Sequence, residues 1–536
     1  MKRISLLLFF IGCFLFSLSA TNYFVATNGS DSNSGTIDKP FATLGKAQSK
    51  VMAGDTVYIR QGTYRVTEAE IMEHYTAGST TWSRVFKMSK SGTGPDKRIC
   101  YSGYKNERPV FDLSAVKPEN ERVIVFYVSG SYLHFRNIEV VGTQVTIVGH
   151  TQSECFRNEG GSDNIYEHLS MHDGMAIGFY IVTGKNNLVL NCDAYNNYDP
   201  VSDGGKGGNV DGFGGHLTSP QYTGNVFRGC RAWYNSDDGF DLINCQAVFT
   251  IDNCWSFLNG YTKDGGKAGD GTGFKSGGYG MSDNPKAPSV IPMHIVQYCL
   301  AYMNKNKGFY ANHHLGGIAW YNNTGYQNPS NFCMLNRKTA SEAVDVPGYG
   351  HIIKNNLSHT PRSSGKHIID VNQAECEIAN NSFLPVDMAV TDDDFVSLDA
   401  SQLALPRKSD GSLPYVEFLR LKTNSKLYNA GMGCFLAGGS EDTSYDWLED
   451  AAILVEGNVA KIVGHGAEAF VYFYINGKAV SFSDRQVDLS AYKGEIDLKA
   501  TTDNGGVTKL KPLIREYWFD KSDEEIQPKV DDLLND

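Results

Sequence analysis

Four aspartates and one lysine fall where they could do chemistry together. A Gly-Phe pair recurs as Asp211-Gly212-Phe213-Gly214, Asp238-Gly239-Phe240-Asp241, Thr272-Gly273-Phe274-Lys275 and Lys307-Gly308-Phe309-Tyr310. If glycine marks a turn and phenylalanine points into a core, the flanking residues point outward in two stacked columns. One reads Asp211, Asp238, Thr272, Lys307; the other reads Gly214, Asp241, Lys275, Tyr310. Asp237 lies beside them in the same turn. Four carboxylates that close raise one another's pKa strongly unless a cation sits between them. Oxygen ligands from a turn suit Ca²⁺, whereas Zn²⁺ is usually held by His and Cys. An acidic surface patch, or a calcium ion that only pins the turn, is the plainer reading of the same spacing. The alignment also stacks Lys275 one coil beyond Asp241, with Gly271, Gly273, Gly277 and Gly278 around it to leave room for a ligand. A neighbouring divalent cation lowers an amine's pKa, and a neutral amine is a competent base. A solvated surface lysine is the ordinary alternative.

The elements that must hold these residues show as a repeat. An Asn, His or Cys precedes a short apolar strand at Asn137, His168, Cys192, Cys230, Cys254, Cys299, Asn323, Asn356 and Asn381. The successive spacings are 31, 24, 38, 24, 45, 24, 33 and 25. A floor near 24 with variable excess is expected of solenoid coils that carry loops of different length. The fold expected is therefore all-β, a right-handed parallel β-helix. Equivalent residues in such a fold stack ~4.8 Å apart. Cys192, Cys230, Cys254 and Cys299 should then form an inward column of small buried side chains, a thiol metal cluster being the other reading. Asn197, Asn235, Asn259, Asn304 and Asn328, each five residues after its anchor, should form a ladder that satisfies turn backbone. Near the start, Pro40 to Ala47 followed by Thr56-Val57-Tyr58-Ile59 reads as a short amphipathic helix, which caps the open end of the solenoid, and then a strand.

The segments Asn209-Val210-Asp211-Gly212-Phe213, Phe227 to Leu242 and Gly273-Phe274-Lys275 resemble polysaccharide lyase family nine, whose members degrade pectic polymers. The resemblance extends loosely over residues 22–435 and includes Asp392 to Asp399. It implies a parallel β-helix, calcium bound by Asp211, Asp237, Asp238 and Asp241, and Lys275 as catalytic base. The implied reaction is β-elimination at a 4-linked galacturonate, whose C5 proton is acidic because it lies next to the C6 carboxylate. For protonation of the leaving oxygen, water, Tyr310, His313 and His314 are the candidates. Tyr279, Lys307, Tyr310, His313 and His314 are candidate substrate contacts, with Trp320 near the same groove. The family covers polygalacturonate and the alternating rhamnose–galacturonate backbone of rhamnogalacturonan I. An alternating chain needs fewer cations and more apolar contact, which favours rhamnogalacturonan here, with pectate as the alternative. A polygalacturonase-like hydrolase would show paired carboxylates but also a Gly-His-Gly on a following coil, and the Gly464-His465-Gly466 present here belongs to another region. A non-catalytic carbohydrate-binding β-helix is the remaining class.

The bulk composition agrees. In 536 residues there are 56 glycines, 29 tyrosines, 28 phenylalanines and only 17 prolines, which suits many short strands joined by turns. A net charge of −12 argues against nucleic acid or an anionic membrane as the main partner. Lys2 and Arg3, an apolar run from Ile4 to Phe16 and small residues up to Ala20 have the pattern of a signal peptide. A secreted, periplasmic or cell-surface protein is expected, with Cys13 as an alternative lipid-anchor site. No later run is long enough for a membrane span, and a monomer is expected. The domain reading is signal peptide 1–20, β-helix lyase domain 21–440, a small antiparallel β domain 445–520 and an acidic tail 521–536. Phe470 to Ile475, the Asn476-Gly477 turn and Glu495 to Leu498 mark the small domain.

Overall fold

A computed structural model describes residues 20–279 and 287–435, except 343, 364 and 409, together with separate segments between 452 and 514. The signal-peptide pattern, Gly464-His465-Gly466 and the acidic tail lie outside the described residues. Contacts divide the chain into two units. One comprises Met1–Trp320, Gly325–Ile352 and Thr360–Glu377, and the other Tyr321–Thr324, Ile353–His359 and Ile378–Asp536.

The first unit is the right-handed parallel β-helix. Each coil contributes one short strand to each of three parallel sheets; Phe249–Asp252, Trp255–Phe257 and Phe274–Lys275 make up one such coil. A single left-handed residue bends the chain between the first two strands, as at Asn191, Asn253 and Tyr298, with Gly229 in the same place. Ordinary side chains pay for that conformation, and the next residue helps to hold it. Cys192, Cys230, Cys254 and Cys299 follow directly, are fully buried and are all free thiols. Strand register places Ile138 and Leu169 in this column, so the sequence alignment slips by one residue at Asn137 and His168.

At the next corner a second left-handed residue, such as Tyr234, Leu258 or Met303, precedes each ladder asparagine. The Nδ2 groups of Asn197, Asn235, Asn259 and Asn304 donate to the Oδ1 of the following asparagine at 3.0–3.1 Å, ending on Asn328. The ladder also serves backbone groups: Asn235 N–H donates to Asn259 Oδ1 and Asn235 Nδ2 to the Ala194 carbonyl. The expected ladder is present and makes bulky left-handed residues tolerable.

Inside the third sheet Phe213, Phe240, Phe274 and Phe309 stack in register, with ring centroids 4.9–5.0 Å apart. The glycines before them are not turn residues, for none has a positive φ. They are glycines because the coils approach closely: a Cβ on Gly239 would lie 2.1 Å from Ser256 Oγ, and one on Gly273 2.6 Å from the Gly308 carbonyl oxygen. The helix Leu44–Lys50 forms as expected, its first turn capped by Thr43 Oγ1 accepting from Lys46 N, and it buries Leu44 and Ala47.

In the second unit, described residues beyond 452 form a four-stranded and a three-stranded sheet around Ile453, Val455, Ile462, Phe473, Ile475 and Leu498. Ile475 pairs antiparallel with Leu498 and Lys478, as the Asn476-Gly477 turn suggests. The other pairings of this domain are antiparallel as expected, with one departure: Ala452–Glu456 pairs parallel with Pro512–Ile514.

Candidate active site

The strands Phe213–Gly215, Phe240–Asp241, Phe274–Lys275 and Lys307–Tyr310 bring the chemistry together. Inward phenylalanines force their neighbours outward, so Gly214, Asp241, Lys275 and Tyr310 are register partners on successive coils. Each aspartate spends one oxygen on backbone. Asp211 Oδ1 accepts from Asp238 N (3.1 Å), Asp238 Oδ1 from Thr272 N (2.7 Å), Asp241 Oδ1 from Ile243 N (2.7 Å) and Asp237 Oδ1 from Asp270 N (2.7 Å). Those bonds fix the four carboxylates in place.

Asp211, Asp238 and Asp241, all buried, present ligand oxygens within 4.8 Å of one another. Asp237 is buried beside this trio but is not one of the three. Lys275 enters the cluster, its Nζ 2.9 Å from Asp241 Oδ2 and 3.1 Å from Asp238 Oδ2. Burial, reinforced by the neighbouring carboxylates, pushes Asp211 well above the usual carboxylate range. Burial does the same to Asp238 against the opposing pull of Lys275, and lifts Asp237 to about 6. Burial works against the Lys275 ammonium, yet Asp241, Asp238 and Asp211 hold its pKa well above the lysine value. The arrangement fits a hard divalent cation on its own geometry. Its donors are all oxygens, and the buried Asp238 Oδ2 has the Lys275 ion pair but no aligned hydrogen bond among the described residues.

The glycines near Lys275 do not clear space for a ligand as expected. A Cβ on Gly277 would lie 2.3 Å from His314 Cβ and one on Gly278 2.7 Å from Ile243 Cγ1, so protein fills both places. Three aromatic or imidazole candidates are also corrected. Tyr279 is buried with its hydroxyl donating to the Asn244 carbonyl, and His314 is buried with Nε2 2.7 Å from the Pro292 carbonyl. Trp320 is a core residue packed edge-on to Phe309. His313 stays near the groove, T-shaped to the Tyr310 ring and 3.2 Å from Asp345 Oδ1. Lys307 Nζ lies 4.5 Å from the Tyr310 ring centre.

The outward column continues the other way through residues the sequence reading passed over. Gly214 pairs with Tyr180, then Arg157, Tyr127 and Lys87. The signal was there, since Gly178-Phe179-Tyr180 is the same motif one coil earlier. Arg157 is held by Glu154 (2.7 Å) and Glu159 (2.8 Å), and Lys87 and Arg84 share Glu73.

A family model described as Pel9A-like, right handed beta helix region matches residues 23–359, and one described as rhamnogalacturonan lyase-like, C-terminal matches 372–509. The chain belongs to polysaccharide lyase family nine. A solved rhamnogalacturonan lyase is 54% identical with a TM-score of 0.74, covering 77% of this chain and 100% of that one. The crystal structure of pectate lyase Pel9A is 31% identical with a TM-score of 0.59, covering 80% and 94%. Pectate lyase L of Dickeya dadantii is 34% identical over 415 residues, covering 76% of this chain and 85% of its own.

Proposed function

We propose that the chain cleaves a pectic polysaccharide at 4-linked galacturonate by calcium-assisted β-elimination, with Lys275 as the base. The observation that carries this reading is the Lys275 amine, buried against Asp238 and Asp241 within a three-carboxylate cluster. Asp211, Asp238 and Asp241 would hold the calcium, with Asp237 adding charge from beside them. Bound there, calcium supplies the positive charge that neutralises a uronate carboxylate and stabilises the anion formed when its C5 proton leaves.

The chain's own groups do the rest. The bare carboxylates hold Lys275 as an ammonium, which would lose its proton once a cation takes up their charge; the neutral amine then takes the C5 proton, the electron pair forms the C4–C5 double bond and the C4–O4 bond breaks. Asp238 and Asp241 orient the amine, and their fixed Oδ1 bonds keep them from turning away. Tyr310, the register partner of Lys275 on the next coil, is the side chain best placed to protonate the leaving oxygen. His314 is sequestered, and burial lowers His313 to about 4, so neither carries a spare proton near neutral pH.

The polymer we propose is the rhamnogalacturonan I backbone. In the column from Gly214 to Lys87 the cations are already neutralised by glutamates, and the residues between them are the half-buried Tyr180 and the buried Tyr127. That groove suits a chain in which a neutral deoxysugar alternates with each uronate better than a polymer charged at every unit. The 54% identity to a rhamnogalacturonan lyase supports the same choice. A signal peptide over residues 1–20 would place the activity outside the cytoplasm, and the chain would act as a monomer. Among the described residues no helix is long and apolar enough to cross a membrane.

Incubation with each polymer, with and without chelator, tests the reading. Unsaturated product absorbing in the near ultraviolet from rhamnogalacturonan, lost in chelator, is expected. Faster release from polygalacturonate would overturn the choice of polymer, and chain shortening without that absorbance would overturn elimination.

A further inference from the structure

Lys307 stands in the same outward column as the cluster. Gly239 N donates to the Thr272 carbonyl and Gly273 N to the Lys307 carbonyl, both at 2.8 Å, so Lys307 lies two strands beyond Asp238. That separation is ~9.6 Å along the helix axis. The side chain is half-buried and its ammonium rests on the Tyr310 ring. Among the described residues no carboxylate forms an ion pair with it, whereas Arg157, Lys87 and Arg337 each have one. On the intervening coil the ammonium of Lys275 is engaged with Asp238 and Asp241.

Strands stack ~4.8 Å apart, a step comparable to the O1-to-O4 span of one pyranose ring. A uronate whose carboxylate meets the acid cluster therefore has its next-but-one neighbour beside Lys307. We propose that Lys307 binds the carboxylate of the uronate two units from the one at the cluster, and so favours chains that carry a free carboxylate at that position. The inference rests on the lyase reading of the site. The Tyr310 ring holds the ammonium in place before substrate arrives, so an incoming carboxylate gains a charge-assisted contact at little ordering cost.

The test uses oligosaccharides of the alternating polymer in which the uronate two units from the cleaved linkage carries either a free carboxylate or a methyl ester. Binding is read by calorimetry with calcium in the Lys275→Met background, where it does not depend on turnover. With Lys307 present the ester should weaken binding roughly tenfold or more. In the Lys307→Met double variant the free acid should bind as weakly as the ester, and Lys307→Arg should restore the preference for the acid. Equal affinity for acid and ester with Lys307 present, or a preference that persists in Lys307→Met, would overturn the assignment. Turnover by Lys275-intact protein is scored separately by product absorbance. Loss of the lyase reading shows there, and failure of the Lys307 inference shows in the calorimetry.

Discussion

Replacing Lys275 by Met keeps the length and apolar body of the side chain and removes only its charge and proton-accepting nitrogen. Two consequences follow from the 2.9 and 3.1 Å contacts to Asp241 and Asp238. In chelator the variant leaves buried carboxylates without their ammonium. Breaking such a pair costs about 3–5 kcal/mol, less whatever the carboxylates recover by taking up protons. In calcium the sign reverses for metal binding. Unit charges about 4 Å apart near a protein surface interact by about 4 kcal/mol, so the wild-type ammonium opposes a dication at the same oxygens. Lys275→Met should therefore bind calcium at least about tenfold more tightly while losing about 10²- to 10⁴-fold in turnover. Thermal melting across a calcium titration reads the first effect and near-ultraviolet product release the second. Turnover within about tenfold of wild type, or a calcium-induced rise in melting temperature no larger than that of the wild type, would refute the placement of the amine inside the cluster.

Asp238→Asn keeps the Thr272 contact but removes a charge from the trio, and should raise the calcium needed for half-maximal activity by about tenfold or more; an unchanged calcium titration would count against the site. The Asp237 carboxyl, lifted by burial to about 6 in the folded chain from an ordinary 3.8, means that the folded calcium-free protein binds more protons than the unfolded chain between those values. Stability in chelator should accordingly fall as pH rises through that window, and calcium affinity should rise over the same range as protons cease to compete; denaturant melts at several pH values check both signs. Asn259→Ala removes the donor to the Ala232 carbonyl and to Asn304 Oδ1 and the acceptor of Asn235 N, so it should cost about 2–3 kcal/mol, measured by chemical unfolding. The ten cysteines from Cys100 to Cys434 should titrate as thiols once the chain is unfolded without reductant, and a disulfide between coils seen by mass spectrometry would contradict the column.

Periodicity alone made the solenoid, the asparagine ladder, the cysteine column and the Lys275–aspartate juxtaposition legible. In a parallel β-helix, sequence offset and spatial neighbourhood are linked by a nearly fixed coil length, so aligned motifs become stacked side chains. Where that link is loose the sequence was silent or misleading. Asp237 precedes Asp238 by one residue, yet its oxygen is tied to Asp270 N on a long loop, and no repeat reports where such a loop returns. Gly277 and Gly278 looked like open space, but which atoms meet a bare Cα depends on His314 and Ile243, more than thirty residues away. Tyr279, His314 and Trp320 have polar atoms that could face a groove or a core, and only packing decided for the core. The charge balance of the groove is of the same kind. Composition counts cations, but whether Arg157 is spent on Glu154 and Glu159 while Lys307 is paired with no carboxylate among the described residues is fixed by distances that only the folded chain possesses.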